Sequence, residues 1–288
     1  LFRFIKYFGK NDPLLDNSKK FIFINMIKIN CIHGGSLYHY AHFICDCLFP
    51  EVILKTYENG DVVRLKNLGQ TIGNFSKIYE EVMGVKNIEL DPKEYKELEC
   101  EEMTVSRRKL IKKIHFLMFH DFIIKRFQIT KCRGMPKVIL IKRGGRIELL
   151  NDQVLIRRNT NVKTGCERRE INEIEKLRNF LLERYPRKFK TLVLENIDFK
   201  DQVNYFYNAK LIIGIHGAAL SNLFFCNQGT KVLEVLGDRK YPFFDKISTN
   251  LDLYHHKCEN DYDKIVEKIK EIDPLEIDLP TGNYDDVD

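Results

Sequence analysis

Arg143, Arg168, Arg169, His216, Gly217, Asn222 and Glu234 are the residues whose types and positions could do chemistry together. Arginine presents a planar fork of donors that matches phosphate oxygens. A glycine directly after a strand lets backbone N–H groups approach such a ligand, and the start of a following helix adds a favourable dipole. A site so equipped would hold a diphosphate and stabilise the charge that develops on it as a leaving group. Glu234 is the lone carboxylate in an apolar run. Two readings are open for it: it bonds the hydroxyls of a ribose, or it points out of the sheet at a strand end.

These residues need elements that carry them to one place. The apolar run 211–215 reads as a strand buried on both faces. It ends in His216-Gly217-Ala218, helix formers follow, and a second apolar run comes after the turn 227–230. That is one βαβ unit. Arg143 follows a strand predicted over 137–142, with Val138 to Ile141 at its heart. Arg168 and Arg169 open a helix expected to run to about residue 184. A strand is expected over 191–194, and Asp198 can cap a helix over 199–208. Carboxyl ends of parallel strands share one edge, so Arg143, Arg168, Arg169, His216, Gly217 and Asn222 can meet there. Past Leu236 the pattern is harder to read, until Asp261 caps a last helix through residue 272. Asp261-Tyr262-Asp263 spells a metal-binding Asp-x-Asp, but its place before a helix favours the cap reading.

The first half carries a second constellation. On a helix over 37–48, His39, His42 and Asp46 fall at i, i+3 and i+7, on one face. Pro50 is expected to end or kink this helix. A stripe of two imidazoles and a carboxylate suits acid–base chemistry. It also reads as a solvated polar face, or as a zinc site lacking a fourth ligand and the His-x-x-x-His spacing. Strands are expected over 21–29, 61–65 and 86–90, and a helix over 74–83 that stops at Gly84. A helix over 107–127 is apolar on one side and basic on the other, a solvated face. The expected organisation is an N-terminal arm over 1–20, an α/β domain over 21–130, a second α/β domain over 131–272 and a tail over 273–288, with the linker at 131–136.

The net charge of +6 on 288 residues is modest, and Lys and Arg are interleaved with Glu. This fits an anionic small ligand better than nucleic acid, for which neither interleaved exposed aromatics nor a motif is present. The eight cysteines contain no Cys-x-x-Cys pair, so they read as mostly reduced, which favours a reducing compartment such as the cytoplasm. No apolar run approaches the ~20 residues of a membrane helix.

Several strings carry a family likeness: Arg168-Arg-Glu-Ile-Asn-Glu, Asp201-Gln202, Ile213-Gly-Ile-His-Gly-Ala-Ala-Leu-Ser-Asn-Leu-Phe-Phe and Gly229-Thr-Lys-Val-Leu-Glu234. Upstream, Tyr38-His-Tyr-Ala-His-Phe-Ile-Cys-Asp-Cys-Leu-Phe-Pro50 adds a His-Phe-x-x-Asp-x-Leu-x-Pro motif. Together they make the chain, over about 21–236, resemble glycosyltransferase family 61. The resemblance implies a GT-B fold, with two Rossmann-like halves facing a central cleft. It implies a UDP-sugar donor, with N-acetylglucosamine or xylose as the sugar, and a hydroxyl of a glycan or glycoprotein as acceptor. It implies inversion and independence of metal. By it, Arg143, Arg168, Arg169, Asn172, His216, Gly217, Ala218, Asn222 and Glu234 would bind the donor. An inverting transfer needs a general base, for which Asp46 and His42 are the candidates, Asp46 preferred. The family also places relatives in the secretory lumen, against the cysteine argument. The alternative function is a catalytically inactive protein of the same fold that binds a nucleotide sugar or glycan. The half before the linker is short for a GT-B domain, and the segment between Arg143 and Arg168, with Arg146, Arg157 and Arg158, is longer than the family's.

Overall fold

Alternating apolar strands build two parallel sheets, one on each side of the 131–136 segment. The computed structural model describes residues 26–31, 37, 39–58, 63–67, 75–84, 88–90, 93, 101–144, 169–237 and 242–273. The expected arm, the long segment before Arg169 with Arg168 in it, and the tail beyond Asp273 lie outside these residues.

The second sheet comprises β5 (Val138–Ile141), β6 (Phe189–Leu192), β7 (Leu211–Ile215), β8 (Lys231–Leu236) and β9 (Tyr254–Glu259). All neighbours are parallel, in the order β6-β5-β7-β8-β9. Side chains alternate between faces, as a period of two requires. Val138, Leu140, Leu211, Ile213, Leu233 and Val235 join one core with residues of α4 (Ile174–Arg184) and α7 (Tyr262–Glu271). Ile139, Ile141, Ile212 and Val232 join another with residues of α5 (Phe199–Asn208) and α6 (Phe243–Asn250). The central strands are therefore covered on both sides, which is why their sequences read as continuous apolar runs.

The first sheet pairs β1 (Met26–Cys31), β2 (Val63–Asn67), β3 (Ile88–Leu90) and β4 (Glu101–Val105) in the order β3-β2-β1-β4, again all parallel. The helix α2 (Ser76–Met83) ends at Gly84, whose φ of 72° is the left-handed cap expected there. The chain is thus α/β, with a four-strand and a five-strand parallel sheet.

Local departures have physical causes. The helix before Pro50 does not stop. We call α1 the continuous run of an α turn Tyr40–His42, a π-helical stretch Phe43–Leu48 and an α-helix Phe49–Glu58. In the π stretch the Phe49 N–H bonds the Ile44 carbonyl, five residues back, and this wide turn makes room for the proline ring. The basic helix starts late: Arg107–Lys109 is a 3-10 turn capped by the Ser106 side chain, and α3 runs Lys113–Phe127. The helix expected from Arg168 begins only at Ile174, because Glu173 takes a left-handed conformation (φ 51°). The segment after β7 is a 3-10 helix, Ala218–Phe225, in place of an α-helix. β4, α6 and β9 went unread because each mixes polar and apolar residues without a clean period.

One core joins the two halves. Phe49 of α1, Phe116 and Phe119 of α3, and Phe224 of the 3-10 helix pack ring against ring, with centroids 4.9–5.6 Å apart. The same hydrophobic cluster holds Phe43, Leu48, Ile139, Ile212 and Val232. The candidate groups of the first half are therefore held against the second by aromatic packing.

Candidate active site

In the order β6-β5-β7-β8-β9 the chain moves outward one way from β5 and then returns to its other side. The crevice between the carboxyl ends of β5 and β7 is thus the switch point where open α/β sheets bind ligands. Arg143 follows β5, and His216 follows β7. The Arg143 guanidinium lies flat against Gly217, where an added Cβ would stand 3.6 Å from its Cζ. Arg169 donates from Nη1 to the His216 carbonyl at 3.0 Å. Two guanidinium groups therefore bracket His216-Gly217, directly before the first turn of Ala218–Phe225.

His216 is held from beneath. Its Nδ1 bonds Oε1 of Glu234, on the neighbouring strand β8. The other oxygen, Oε2, bonds Nε2 of His255 on β9 at 2.9 Å. Nδ1 of His255 in turn meets the Ser248 hydroxyl at 2.8 Å. With His255 donating from Nε2 to the carboxylate, its Nδ1 accepts from Ser248. The carboxylate is 1% exposed. Burial pushes its pKa up, but the hydrogen bonds from His216 and His255 outweigh that and hold it at about 2. An ionised Glu234 accepts the Nδ1–H of His216, which leaves Nε2 as the acceptor of the ring. Phe244 packs edge-on against the ring, with centroids 5.4 Å apart.

Of the two readings of Glu234, pointing out at a strand end is overturned: the residue is 1% exposed, and its oxygens bond His216 and His255. Asn222 is fully buried at the seam rather than at the ligand edge. Its Oδ1 accepts from Tyr40 of α1 at 2.5 Å, and its Nδ2 donates to Gln202 Oε1 at 3.0 Å. Gln202 donates onward to the carbonyls of Leu194 and Ile197. Burial pushes the Tyr40 hydroxyl well above its ordinary pKa, so it stays a donor. Asn172 is likewise structural here, with its N–H and Nδ2 both bonded to Asn260. Replacing Asn222 by alanine would take the short partner from Tyr40 and one donor from Gln202 in a buried seam, leaving only the longer Tyr40–Gln202 bond at 3.4 Å between them. A stability loss of about 1–3 kcal/mol is expected by denaturant unfolding; a loss within error would show that water or rearrangement satisfies them.

The first-half constellation sits at the corresponding crevice of its own sheet. In the order β3-β2-β1-β4 the switch lies between β1 and β4. The helix α1 follows β1, and Arg107 follows β4. Asp46 is 1% exposed. Its Oδ2 bonds His42 Nδ1 at 2.7 Å, and its Oδ1 bonds Arg107 Nε at 2.9 Å. The two candidate bases differ in setting: Asp46 is buried with both oxygens engaged, whereas the His42 side chain is 30% exposed and turns its Nε2 away from the carboxylate. The zinc reading of the stripe finds no support in the geometry, since His39, His42 and Asp46 are not among the described residues whose ligand atoms lie close enough to share a metal.

Arg107 also connects the two crevices. Its guanidinium lies over the Phe243 ring at 4.4 Å, and the adjoining Phe244 is the ring against His216. Arg107, Phe243, Ser248 and His255 escaped sequence reasoning. Only the position of Arg107 after a strand could have marked it, and that strand opens on two glutamates.

Among the described residues one group has metal-binding geometry: Glu234, Asp245 and His255. The ammonium of Lys257 already serves it, 2.6 Å from Asp245 and 3.9 Å from Glu234. Asp261 is a cap, its side chain accepting from the Lys264 N–H at 3.0 Å. Cys45, Cys47, Cys132, Cys226 and Cys258 are free thiols. No described helix is long and apolar enough to cross a membrane.

A search of curated proteins found no match to the chain. The sequence model of the family described as Glycosyltransferase 61 matches residues 40–233, from the first turn of α1 to the middle of β8.

Proposed function

The chain belongs to glycosyltransferase family 61, and on that premise we propose that it moves a sugar from a UDP-sugar to a hydroxyl of a glycan or glycoprotein. The reaction inverts the anomeric centre and needs no metal. N-acetylglucosamine and xylose are the sugars to test first. The halves adopt a GT-B arrangement, with the donor on the second half and the acceptor on the first.

In this reading Arg143, Arg169 and the neighbouring Arg168 hold the diphosphate, with backbone N–H groups from Ala218 onward. His216 adds Nε2, fixed in direction by Glu234, as an acceptor for a hydroxyl of the donor. His42 takes the proton of the acceptor hydroxyl as that oxygen attacks the anomeric carbon from the face opposite UDP. The bond to UDP breaks in the same step, and the charge on the departing diphosphate falls on the arginines. Those cations do the work a metal does elsewhere.

The observation that carries this reading is the convergence of Arg143, Arg169 and His216-Gly217 at one switch point, linked through Phe244, Phe243 and Arg107 to the Asp46-held His42. The test is thermal stabilisation by UDP, followed by a panel of UDP-sugars scored for stabilisation and slow donor hydrolysis. UDP is expected to raise the melting temperature. Arg143→Ala and Arg169→Ala should each weaken UDP about 10–100-fold, the worth of a charge-assisted hydrogen bond. No response of the parent protein to UDP would overturn the donor-site assignment.

A further inference from the structure

The residues just after Arg107 form a surface that the transfer reaction does not use. Arg108, Lys109, Lys112 and Lys113 are exposed, and between and beside them stand Ile111, 62% exposed, and Ile114, 51% exposed. These are two of the four large hydrophobic side chains exposed among the described residues. The segment spans the end of the 3-10 turn Arg107–Lys109 and the start of α3. It is anchored at both ends. Arg107 turns inward to Asp46 and Phe243, and His115 and Phe116 are buried. Lys113 is further tied to Asp252 at 2.6 Å. An anchored segment thus presents two exposed isoleucines flanked by cations.

From this pairing we propose that residues 108–114 dock the protein on an anionic lipid surface, with Ile111 and Ile114 entering the acyl boundary and the cations lying among the headgroups. Apolar side chains gain by leaving water for the boundary. Long basic side chains keep their charges at the headgroups while their stems line the apolar layer. Each cation near an anionic leaflet adds attraction that falls off within a Debye length. A nucleic-acid surface would reward the cations but not the isoleucines, and a neutral apolar partner would reward the reverse. Because Arg107 opens the segment and holds Asp46, docking would set the His42 crevice beside the membrane. The proposal does not depend on the transferase reading.

The test is flotation of the whole chain with vesicles of phosphatidylcholine alone and vesicles enriched in phosphatidylserine. Binding is expected to the anionic vesicles and to weaken with salt. An Ile111→Ser, Ile114→Ser double variant should lose at least about tenfold in binding. The Lys109→Glu, Lys112→Glu variant should lose at least about tenfold as well. Both substitutions change exposed side chains, and an unchanged melting temperature checks the fold. Absence of binding to anionic vesicles overturns the proposal. So does binding that the isoleucine variant leaves intact, and so does binding to heparin or DNA in preference to vesicles.

Discussion

Replacing His42 by alanine should lower kcat about 10²–10⁴-fold, the range lost when a positioned general base is removed, while UDP binds as before. The reasons are geometric. His42 lies outside the arginine cluster that would hold the diphosphate, so the donor should not feel its loss. Asp46 keeps its bond to Arg107, so the buried carboxylate is not left without a cation. Single-turnover transfer to an acceptor and calorimetry with UDP would separate the two effects. Asp46→Asn should also lower kcat, and in addition cost stability, because it weakens the Arg107 ion pair inside the seam. If His42→Ala transfers normally and Asp46→Asn, folded, does not, the base is Asp46 and the assignment of roles is reversed.

The second large effect is expected at Glu234. Glu234→Gln keeps the shape but removes the charge that two histidines share. Hydrogen bonds to a charged group are worth about 1.5–3 kcal/mol each, so a loss of about 3 kcal/mol in unfolding free energy is expected at neutral pH. UDP affinity should fall with it, because His216 loses the partner that sets its Nδ1–H. The pH dependence supplies an independent check. The carboxyl titrates at about 2 in the folded chain against an ordinary 4.5. A depressed carboxylate adds stability that is complete above the unfolded value and is lost as pH falls toward the folded one. The parent protein should therefore lose stability between about pH 5 and pH 2, by an amount that Glu234→Gln does not show. Identical acid profiles for the two proteins would mean that the carboxylate is not held in this way.

The acid profile and the His42 result probe the two crevices, one at each sheet, and the sequence made them unequally visible. The run from Leu211 to Leu236 was readable because both its strands are buried in a parallel sheet, which makes them continuously apolar and bounded by small residues. The strand over Val138–Ile141 was readable for the same reason, and each site residue at a strand end inherited its place from that pattern. Elements with one wet face, such as Tyr254–Glu259, lack such a signal, so His255 stayed hidden although it shares Glu234 with His216. Pro50 left an end or a kink open, and a π turn, a tertiary accommodation, let the helix pass through it.

By itself, then, the sequence determined the α/β class, the edge where Arg143, His216 and Gly217 meet, and, through its motifs, the family. Residue type, period and spacing are enough for these, because each is set by neighbours close in the chain or by a shared edge. What only the tertiary structure decided is the division of labour among polar groups. It bonded Asp46 to both His42 and Arg107, turned Asn222 into a seam bond to Tyr40, and placed Glu234 between two histidines. A side chain's role depends on which distant groups its burial brings within hydrogen-bond reach, and periodicity along the chain carries no record of that.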